Sequence, residues 1–274
     1  MKVLLTGAQG NFGSEFTRLA SQTPDVAVTP IGRSSWDDIN HKLEGIDTVI
    51  HAASDLHTSA LTAPTSLLDS NIMTTARLLE ASKQQHVKRW IFLSSCAVYG
   101  EDMRTDETSL CCPITINGIS KHLNEKLVAD YCSANGIEYQ IFRAFNSYGG
   151  HDQFSIFSKI KKALKNNTPF TLNNEGRMQR DFVHISDVAK VVLYLLKTDV
   201  SCTHMNIGTG VATKISTIVG LIQAQFPKLI IAHGNTHEAE YSRASITRLR
   251  QYWSGDFVRV EDYVRDQFAS FVAA

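Results

Sequence analysis

The stretch Gly7-Ala8-Gln9-Gly10-Asn11-Phe12-Gly13 decides the expected fold, because it joins the strand-like segment Lys2–Thr6 to a segment of helical period that reaches about Ser21. In such a turn the first glycine allows a tight bend, the second lets the backbone approach a pyrophosphate, and the third lets helix and strand pack closely. The helix N-terminus adds unpaired N–H groups and a positive dipole. The stretch therefore predicts a dinucleotide site. Its candidate cofactor-binding residues are Gly7, Gly10, Asn11, Phe12 and Gly13.

Short apolar runs alternate with longer segments of helical period on both sides of residue 100. We expect further strands at 26–31, 47–53, 89–94, 137–143, 180–184 and 205–207, and helices at 67–84, 117–135, 154–165, 186–196, 215–226 and 260–271. This alternation implies right-handed crossovers and a parallel sheet with helices on both faces. The predicted class is α/β, a doubly wound parallel sheet of the Rossmann type. The pattern loosens after Tyr148, which predicts a dinucleotide-binding domain over 1–150 and a smaller C-terminal substrate-binding lobe over 151–274, partly interleaved with the sheet.

The overall composition excludes several classes of function. The 27 Lys and Arg residues balance 27 Asp and Glu residues, which argues against a nucleic-acid-binding surface built on broad phosphate neutralisation. The longest apolar run, 191–196, is far shorter than the roughly 20 residues that span a bilayer. Five cysteines without a CxxC pair and without an export signal favour a reducing cytoplasm. Ten histidines form no HExxH motif, so no metal site is predicted.

Arg33 lies twenty residues after Gly13, at the end of the second expected strand. An acidic residue at this place would bind a ribose 2′-hydroxyl, whereas an arginine accommodates a 2′-phosphate. No Asp or Glu occurs between Asp25 and Asp37, so NADP is favoured over NAD, with Arg33 and Ser34 as candidate ligands. The alternative is that Arg33 is a solvated loop residue.

Seven motifs then follow one another in a familiar order. They are GAQGNFG at 7–13, VIHAAS at 49–54, LSSCAVYG at 93–100, a Ser-Lys pair at 120–121, RAFNSYGG at 143–150, RDFVHISDVA at 180–189 and NIGTG at 206–210. Over nearly its whole length the chain resembles the extended short-chain dehydrogenase/reductases, the NAD-dependent epimerase/dehydratases that act on nucleotide sugars. The resemblance implies a nicotinamide cofactor that contacts Ala52 and Ala53 and a nucleotide sugar under the C-terminal lobe. It also implies a homodimer built from the helices expected at 67–84 and 117–135.

The catalytic set of this family is a Ser or Thr, a Tyr and a Lys four residues after the Tyr. Ser95 and Lys121 match the first and last members, but Asn117 occupies the tyrosine position. Positions 117 and 121 share one helical face, and Lys121 would also hold the nicotinamide ribose. An asparagine amide forms hydrogen bonds but does not ionise. Since positioned acid–base catalysis is worth about 10²–10⁴ in rate, the replacement should cripple turnover while leaving binding intact.

Three explanations of Asn117 remain open. Another proton donor, such as a water or a substrate group held by Asn117 and Ser95, serves the reaction. Alternatively, the chain is a variant inactivated to hold its ligand. In the third case it is a natural relative that binds cofactor or sugar nucleotide without catalysis.

The resemblance also suggests substrate contacts. Arg143, Asn146 and Tyr148 lie at a strand end that borders sugar and cofactor in the family. Arg180 would lie near the sugar-nucleotide phosphates, with an internal ion pair as the alternative, and Arg243 would help to clamp the diphosphate. The candidate substrate-binding residues are Ser95, Asn146, Arg180 and Arg243.

The sequence thus predicts an NAD(P)-dependent nucleotide-sugar oxidoreductase, either a 4-keto-sugar reductase or an epimerase. The expected NADP preference favours net reduction. The rival hypothesis is a catalytically silent binding protein, and it depends on Asn117 alone.

Overall fold

The computed structural model describes residues 1–32, 36, 38–55, 63–101 and 105–268. The elements of the first half are β1 (Lys2–Thr6), α1 (Asn11–Ala20), β2 (Ala27–Ile31), α2 (Ile39–Lys42), β3 (Thr48–His51), α3 (Pro64–Leu68), α4 (Thr74–Gln84), β4 (Arg89–Ser95), α5 (Ile116–Asn135) and β5 (Glu138–Ala144). Those of the second half are β6 (Asn146–Tyr148), α6 (Ile156–Asn166), β7 (Phe170–Asn173), β8 (Gln179–His184), α7 (Ile185–Leu196), β9 (His204–Ile207), β10 (Ala212–Lys214), α8 (Ile215–Gln225), β11 (Ile231–Gly234), β12 (Tyr241–Ser242) and α9 (Val260–Tyr263).

Six parallel strands form the main sheet in the order β2-β1-β3-β4-β5-β9. The chain leaves β1 for β2 on one side and returns to β3 on the other, so the carboxyl ends of β1 and β3 flank a topological switch point. Ligands of open α/β sheets bind in the crevice at such a point. The predicted doubly wound parallel sheet is confirmed.

Helices cover both faces of this sheet, which is why its strands are apolar along most of their length. On one face Phe12 and Phe16 of α1 share a buried cluster with Val188 and Val192 of α7. On the other face Leu78 and Leu79 of α4 and Val128 and Cys132 of α5 pack with Trp90 and Phe92 of β4. The helices expected from the glycine turn to about Ser21 and at 67–84, 117–135 and 186–196 therefore supply the two outer layers.

A π-helical turn at Asp69–Met73 joins α3 to α4 in one helical run, where the sequence predicted a single helix over 67–84. Asn71 lies in this turn and is buried. Its carbonyl accepts hydrogen bonds from Thr75 Oγ1 (2.9 Å) and from Asn124 Nδ2 of α5 (2.8 Å). Its side chain accepts from the Asp55 N–H (2.6 Å) and donates to the Asp55 carbonyl (3.1 Å). The π turn thus fixes the segment that follows β3.

The second half adds a smaller sheet in which β8 pairs with β6, β10 and β12, and a separate β7–β11 pair. Tyr148, Phe157, Phe182 and Tyr263 form the centre of its buried cluster. Of these strands only β8 was predicted from the sequence. Because β9 and α7 complete the main sheet and its helical layer, the two halves interleave, and the division at residue 150 stays a prediction.

Asp181 of β8 ties this smaller sheet to two distant loops. Its fully buried carboxylate accepts hydrogen bonds from the backbone N–H groups of Thr209 (2.9 Å), Gly210 (2.9 Å) and Ala244 (3.0 Å). Burial raises the pKa of Asp181 above its ordinary value, although these bonds oppose the rise.

Among the residues described, no helix is both long and apolar enough to cross a membrane.

Candidate active site

A cleft of about 1320 Å³ opens at the carboxyl ends of the main strands. One side consists of the glycine turn, the ends of β3 and β4, and the first turns of α5. The other side consists of β6, β7, β8 and residues 236–239. Small-molecule pockets usually measure roughly 300–1,000 Å³, so this cleft has room for two ligands side by side.

The glycine turn forms the floor of the cleft, and steric contacts require its glycines. Gly7 has a φ of +70°, and a Cβ there would lie 2.8 Å from the backbone N of Ala53. A Cβ on Gly13 would lie 2.2 Å from the carbonyl oxygen of Gly7. Gly10 caps α1 without a side-chain hydrogen bond, so the first N–H groups of the helix stay available at the cleft. This cradle fits a dinucleotide pyrophosphate.

The other predicted cofactor residues divide into three groups. Ala52 and Ala53 line the cleft, and Phe12 lines it while packing into the core. Asn11 also lines it, but its amide donates to the Gly149 carbonyl (3.1 Å) and accepts from the His151 N–H (2.8 Å). The predicted roles of Arg33 and Ser34 lie outside the described residues.

Ser95 and Lys121 line the cleft beside the glycine turn. Ser95 ends β4, and its Oγ accepts a hydrogen bond from the Ala97 N–H (3.2 Å). Lys121 Nζ donates to the Leu93 carbonyl (2.9 Å) and lies 4.8 Å from the centre of the Phe92 ring. Burial lowers the pKa of Lys121 to about 8. An ammonium has three donors, so Lys121 fits the ribose hydroxyls of a dinucleotide.

Asn117 lies in the first turn of α5 and lines the same cleft. A Cβ on the neighbouring Gly118 would lie 2.4 Å from the Ala97 carbonyl oxygen, so this glycine lets α5 approach the turn after Ser95. The Asn117 Oδ1 atom is buried and has no hydrogen-bond partner among the described residues. Buried polar atoms without a partner are rare, and this one points to a donor supplied by a ligand.

No tyrosine of the matched motifs takes over the missing phenol. Tyr99 is buried, donates to Asn206 Oδ1 (2.7 Å) and accepts from Arg143 (3.0 Å). Burial raises the pKa of Tyr99. It also raises the pKa of Tyr148, which is enclosed in the buried cluster of the smaller sheet. Neither Tyr99 nor Tyr148 is a lining residue of the cleft.

Arg143, which the sequence placed at the ligand edge, instead forms a buried ion pair behind it. Its Nε and NH2 donate to the two oxygens of Glu125 at 3.0 and 2.7 Å, and the two side chains are 5% and 3% exposed. Burial opposes the charge of Arg143, but the bonds to Glu125 raise its pKa above the ordinary value. Ser94 Oγ also donates to Glu125 (2.5 Å), so the pair fixes the end of β4 next to Ser95.

The predicted substrate residues from the second half do not all reach the cleft. Asn146 lines it and donates to the Asp181 carbonyl (3.0 Å). Arg180 lines it and forms an ion pair with Glu238 (2.9 Å), and its contact with the sugar-nucleotide phosphates stays a prediction. Arg243 is exposed and is not a lining residue.

Several neighbours of the site were not found from the sequence. Asn124 lies one turn after Lys121 on α5, and the available signal was a polar side chain on a buried helical face. Glu238 gave no signal, because its partner is 58 residues away. Cys111, His122 and Glu125 also place potential metal ligands within 4.8 Å of one another. The guanidinium of Arg143 already binds both Glu125 oxygens and would repel a cation there. That the protein has no metal site stays a prediction.

Comparisons with known proteins agree with this architecture. A family model described as the NAD dependent epimerase/dehydratase family matches residues 3–208. A putative UDP-glucose 4-epimerase of Methanocaldococcus jannaschii is 30% identical over 254 residues, covering 81% of each chain. The NAD dependent NDP-hexosamine 5,6-dehydratase TunA has a TM-score of 0.89 at 21% identity, covering 100% of this chain and 98% of its own. A Bacillus cereus UDP-glucuronic acid 4-epimerase, solved with UDP-glucuronic acid and NAD, has a TM-score of 0.86 at 24% identity, covering 100% and 99%.

Proposed function

Since the chain belongs to the NAD dependent epimerase/dehydratase family, we propose that it binds a nicotinamide dinucleotide and a nucleotide sugar and catalyses hydride transfer at the sugar ring. The reaction is that of a 4-keto-sugar reductase or an epimerase. The observation that carries this proposal is the meeting of Ser95, Asn117 and Lys121 with the glycine turn in one cleft.

The glycine turn and the N-terminus of α1 would hold the cofactor pyrophosphate, and Lys121 would hold the nicotinamide ribose. When bound, the nicotinamide supplies or accepts the hydride. Arg33 supports NADP, whereas NAD is the cofactor printed for the Bacillus cereus enzyme. Affinities for NADPH and NADH measured side by side test this choice, and equal affinity or tighter binding of NADH contradicts the role of Arg33.

Asn117 would orient the sugar rather than exchange a proton with it. Its unpartnered Oδ1 can accept a hydrogen bond from a sugar hydroxyl, and Ser95 Oγ, which lines the same cleft, can donate one to the sugar. The proton would then pass to or from a water or a substrate group held between these two side chains. This route gives a slower enzyme than a tyrosine would.

A catalytically silent binding protein is the second candidate, favoured by Asn117 itself. Incubation of the protein with NADPH or NADH and a 4-keto-6-deoxy nucleotide sugar distinguishes the two functions through the absorbance of the reduced nicotinamide. Oxidation of the cofactor supports a reductase. Binding of both ligands without oxidation excludes the reductase and leaves the epimerase and the silent protein, which the presence or absence of sugar epimerisation then separates. Failure to bind either ligand contradicts both functions.

The variant N117Y tests whether the site is otherwise competent. We expect hydride transfer to rise about 10²–10⁴-fold, because a phenol beside Lys121 restores positioned acid–base catalysis. The matched control is A134Y, which adds a tyrosine to an exposed position of the same helix that does not line the cleft. A gain in N117Y without a gain in A134Y identifies the missing phenol as the limiting group, and no gain in either favours a different chemistry.

We also propose that the protein is a homodimer. The two helical segments expected at the dimer interface carry apolar side chains that are each at least 44% exposed. These are Leu68 and Met73 in the run from α3 to α4, and Ile116, Ile119 and Leu123 in α5. The three α5 side chains follow at spacings of three and four residues, which places them on one face. A sedimentation measurement of the wild type and of I119D tests this, and a monomeric wild type contradicts it.

A further inference from the structure

Three consecutive residues at the cleft are each attached to a different part of the molecule. Thr236 accepts from Asn174 Nδ2 (2.7 Å) and donates its N–H to Asn174 Oδ1 (3.2 Å). His237 Nε2 lies 3.1 Å from a carboxylate oxygen of Glu101. Glu238 accepts from Arg180 NH2 at 2.9 Å. We call residues 236–239 the strap, because all four line the cleft and their partners lie on both of its sides.

The attachment to Arg180 places a carboxylate on the cation of the substrate side. The Arg180 side chain is 12% exposed, and its NH1 donates to the Gln179 carbonyl (2.9 Å). The Glu238 side chain is 38% exposed. A diphosphate beside Arg180 would therefore meet the negative charge of Glu238 at close range, which is costly unless the carboxylate leaves.

The described residues that line the cleft carry equal numbers of cationic and anionic side chains. The cations are Lys121, Lys159 and Arg180, and the carboxylates are Asp55, Asp152 and Glu238. Within this set, removal of Glu238 from Arg180 leaves one more cation than anion available to a ligand. The neutral cleft therefore gains a phosphate-binding charge only when the strap yields.

The strap is built to yield without disturbing either sheet. It lies between β11 and β12 and has no regular secondary structure. The Glu101 and His237 side chains are 51% and 84% exposed, so their pair contributes little to stability. Arg180 and Glu238 share one hydrogen bond, whereas a guanidinium can bind two phosphate oxygens at once.

We propose that Glu238 determines specificity at the phosphate end of the cleft, as an internal carboxylate that occupies Arg180 until a nucleoside diphosphate displaces it. This inference rests on the proposed function, because the diphosphate is that of the nucleotide sugar. A diphosphate replaces the carboxylate with several anionic oxygens. A nucleoside without phosphate has nothing to offer Arg180 and leaves the strap in place.

Calorimetric titration of the wild type and of E238Q with UDP, dTDP, inorganic pyrophosphate and uridine tests the proposal. We expect E238Q to bind at least one diphosphate about tenfold more tightly, because it removes a charged competitor for Arg180. Uridine affinity should not change. The matched control is E240Q, since Glu240 is an exposed carboxylate two residues away and does not line the cleft. In an R180Q background, E238Q should no longer tighten diphosphate binding.

The outcomes separate this inference from the proposed function. If the wild type binds a diphosphate and E238Q binds it equally or more weakly, the role of Glu238 is wrong and the proposed function stands. A gain that persists in the R180Q background also overturns the role, because Arg180 is then not the contested partner. If neither protein binds UDP, dTDP or pyrophosphate, the proposed function and the role of Glu238 both fail.

Discussion

Among the described residues, two arginine–glutamate pairs close to the same cleft differ in exposure and in the number of hydrogen bonds they share. Arg143 and Glu125 are 5% and 3% exposed and share two hydrogen bonds. They belong to what we call the fixed wall, the side of the cleft built from the glycine turn, α5 and the strands β1, β3, β4 and β5. Arg180 and Glu238 are 12% and 38% exposed, share one hydrogen bond and line the cleft itself. The first pair is enclosed by the fold, whereas the second is open to exchange with a ligand.

This difference shows that residue type alone does not decide what an ion pair does. When one residue of a buried ion pair is removed, the other is left as an uncompensated buried charge. Such a pair therefore acts as a structural element. A partly exposed pair is weakened by water and salt, so it can open at small cost. The fixed wall should therefore respond to substitutions through stability, and the strap should respond through ligand affinity.

The largest effect is expected for E125Q in the fixed wall. Loss of the Glu125 charge leaves the buried guanidinium of Arg143 without a counter-charge, with only the hydrogen bond to Tyr99 named above, and we expect the free energy of unfolding to fall by about 3–5 kcal/mol. The same substitution in the strap, E238Q, should change it by less than about 1 kcal/mol. Urea denaturation of both variants and of the wild type measures the two values. Equal losses in E125Q and E238Q would erase the distinction between the two pairs.

A smaller effect is expected for G13A in the glycine turn. The added Cβ would meet the Gly7 carbonyl oxygen at 2.2 Å, so the backbone must shift. We expect a loss of about 1–3 kcal/mol in unfolding free energy, together with weaker NADH and NADPH binding. The control is G220A in α8, where the added methyl group would meet no described atom within 4 Å beyond its chain neighbours and the nearby backbone of its own helix. That variant should gain about 0.5–1 kcal/mol, since alanine favours a helix more than glycine does. A stable G13A with normal cofactor binding would contradict the close packing of the turn.

The last effect is a pH dependence and concerns Lys121, a buried charge of the fixed wall. Burial lowers its pKa from 10.5 to about 8, so between these values the unfolded chain binds more protons than the folded protein. Stability therefore rises with pH across this interval, by at most about 1.4 kcal/mol per pH unit. The difference in unfolding free energy between the wild type and K121M should increase from pH 8 upwards. A difference that is independent of pH would show that Lys121 is hydrated in the folded protein.

The sequence predicted the fixed wall well, because its signals are local. The glycine turn lies within seven residues, and the buried strands β1, β3, β4 and β5 appear as apolar runs between helical segments. Ser95 and Lys121 came from the family resemblance, and both line the cleft. That Asn117 stands where the family has a tyrosine was visible in the sequence. That its buried Oδ1 lacks a hydrogen-bond partner among the described residues could be seen only in the structure.

The strap and the smaller sheet escaped prediction for the opposite reason. Strands β6, β7, β10, β11 and β12 contain two to four residues each, too few to show a period, and they exist through pairing with distant segments. The prediction for Arg143 missed its ion pair, because Glu125 on α5 lies in no recognisable motif and yet binds the Arg143 guanidinium. The bond between Arg180 and Glu238 likewise joins positions 58 residues apart.

The π turn at Asp69–Met73 has a consequence for how this chain is aligned and edited. A wide turn inserts one residue into the helical run and so shifts its phase by about 100°. Leu67 before the turn and Leu78 after it are both buried. Because the extra residue is accommodated within the turn, deletion of one residue of Asp69–Met73 would restore a regular helix and leave both flanking segments in place. A relative without the turn aligns with both halves of the run only when a one-residue gap is opened within it.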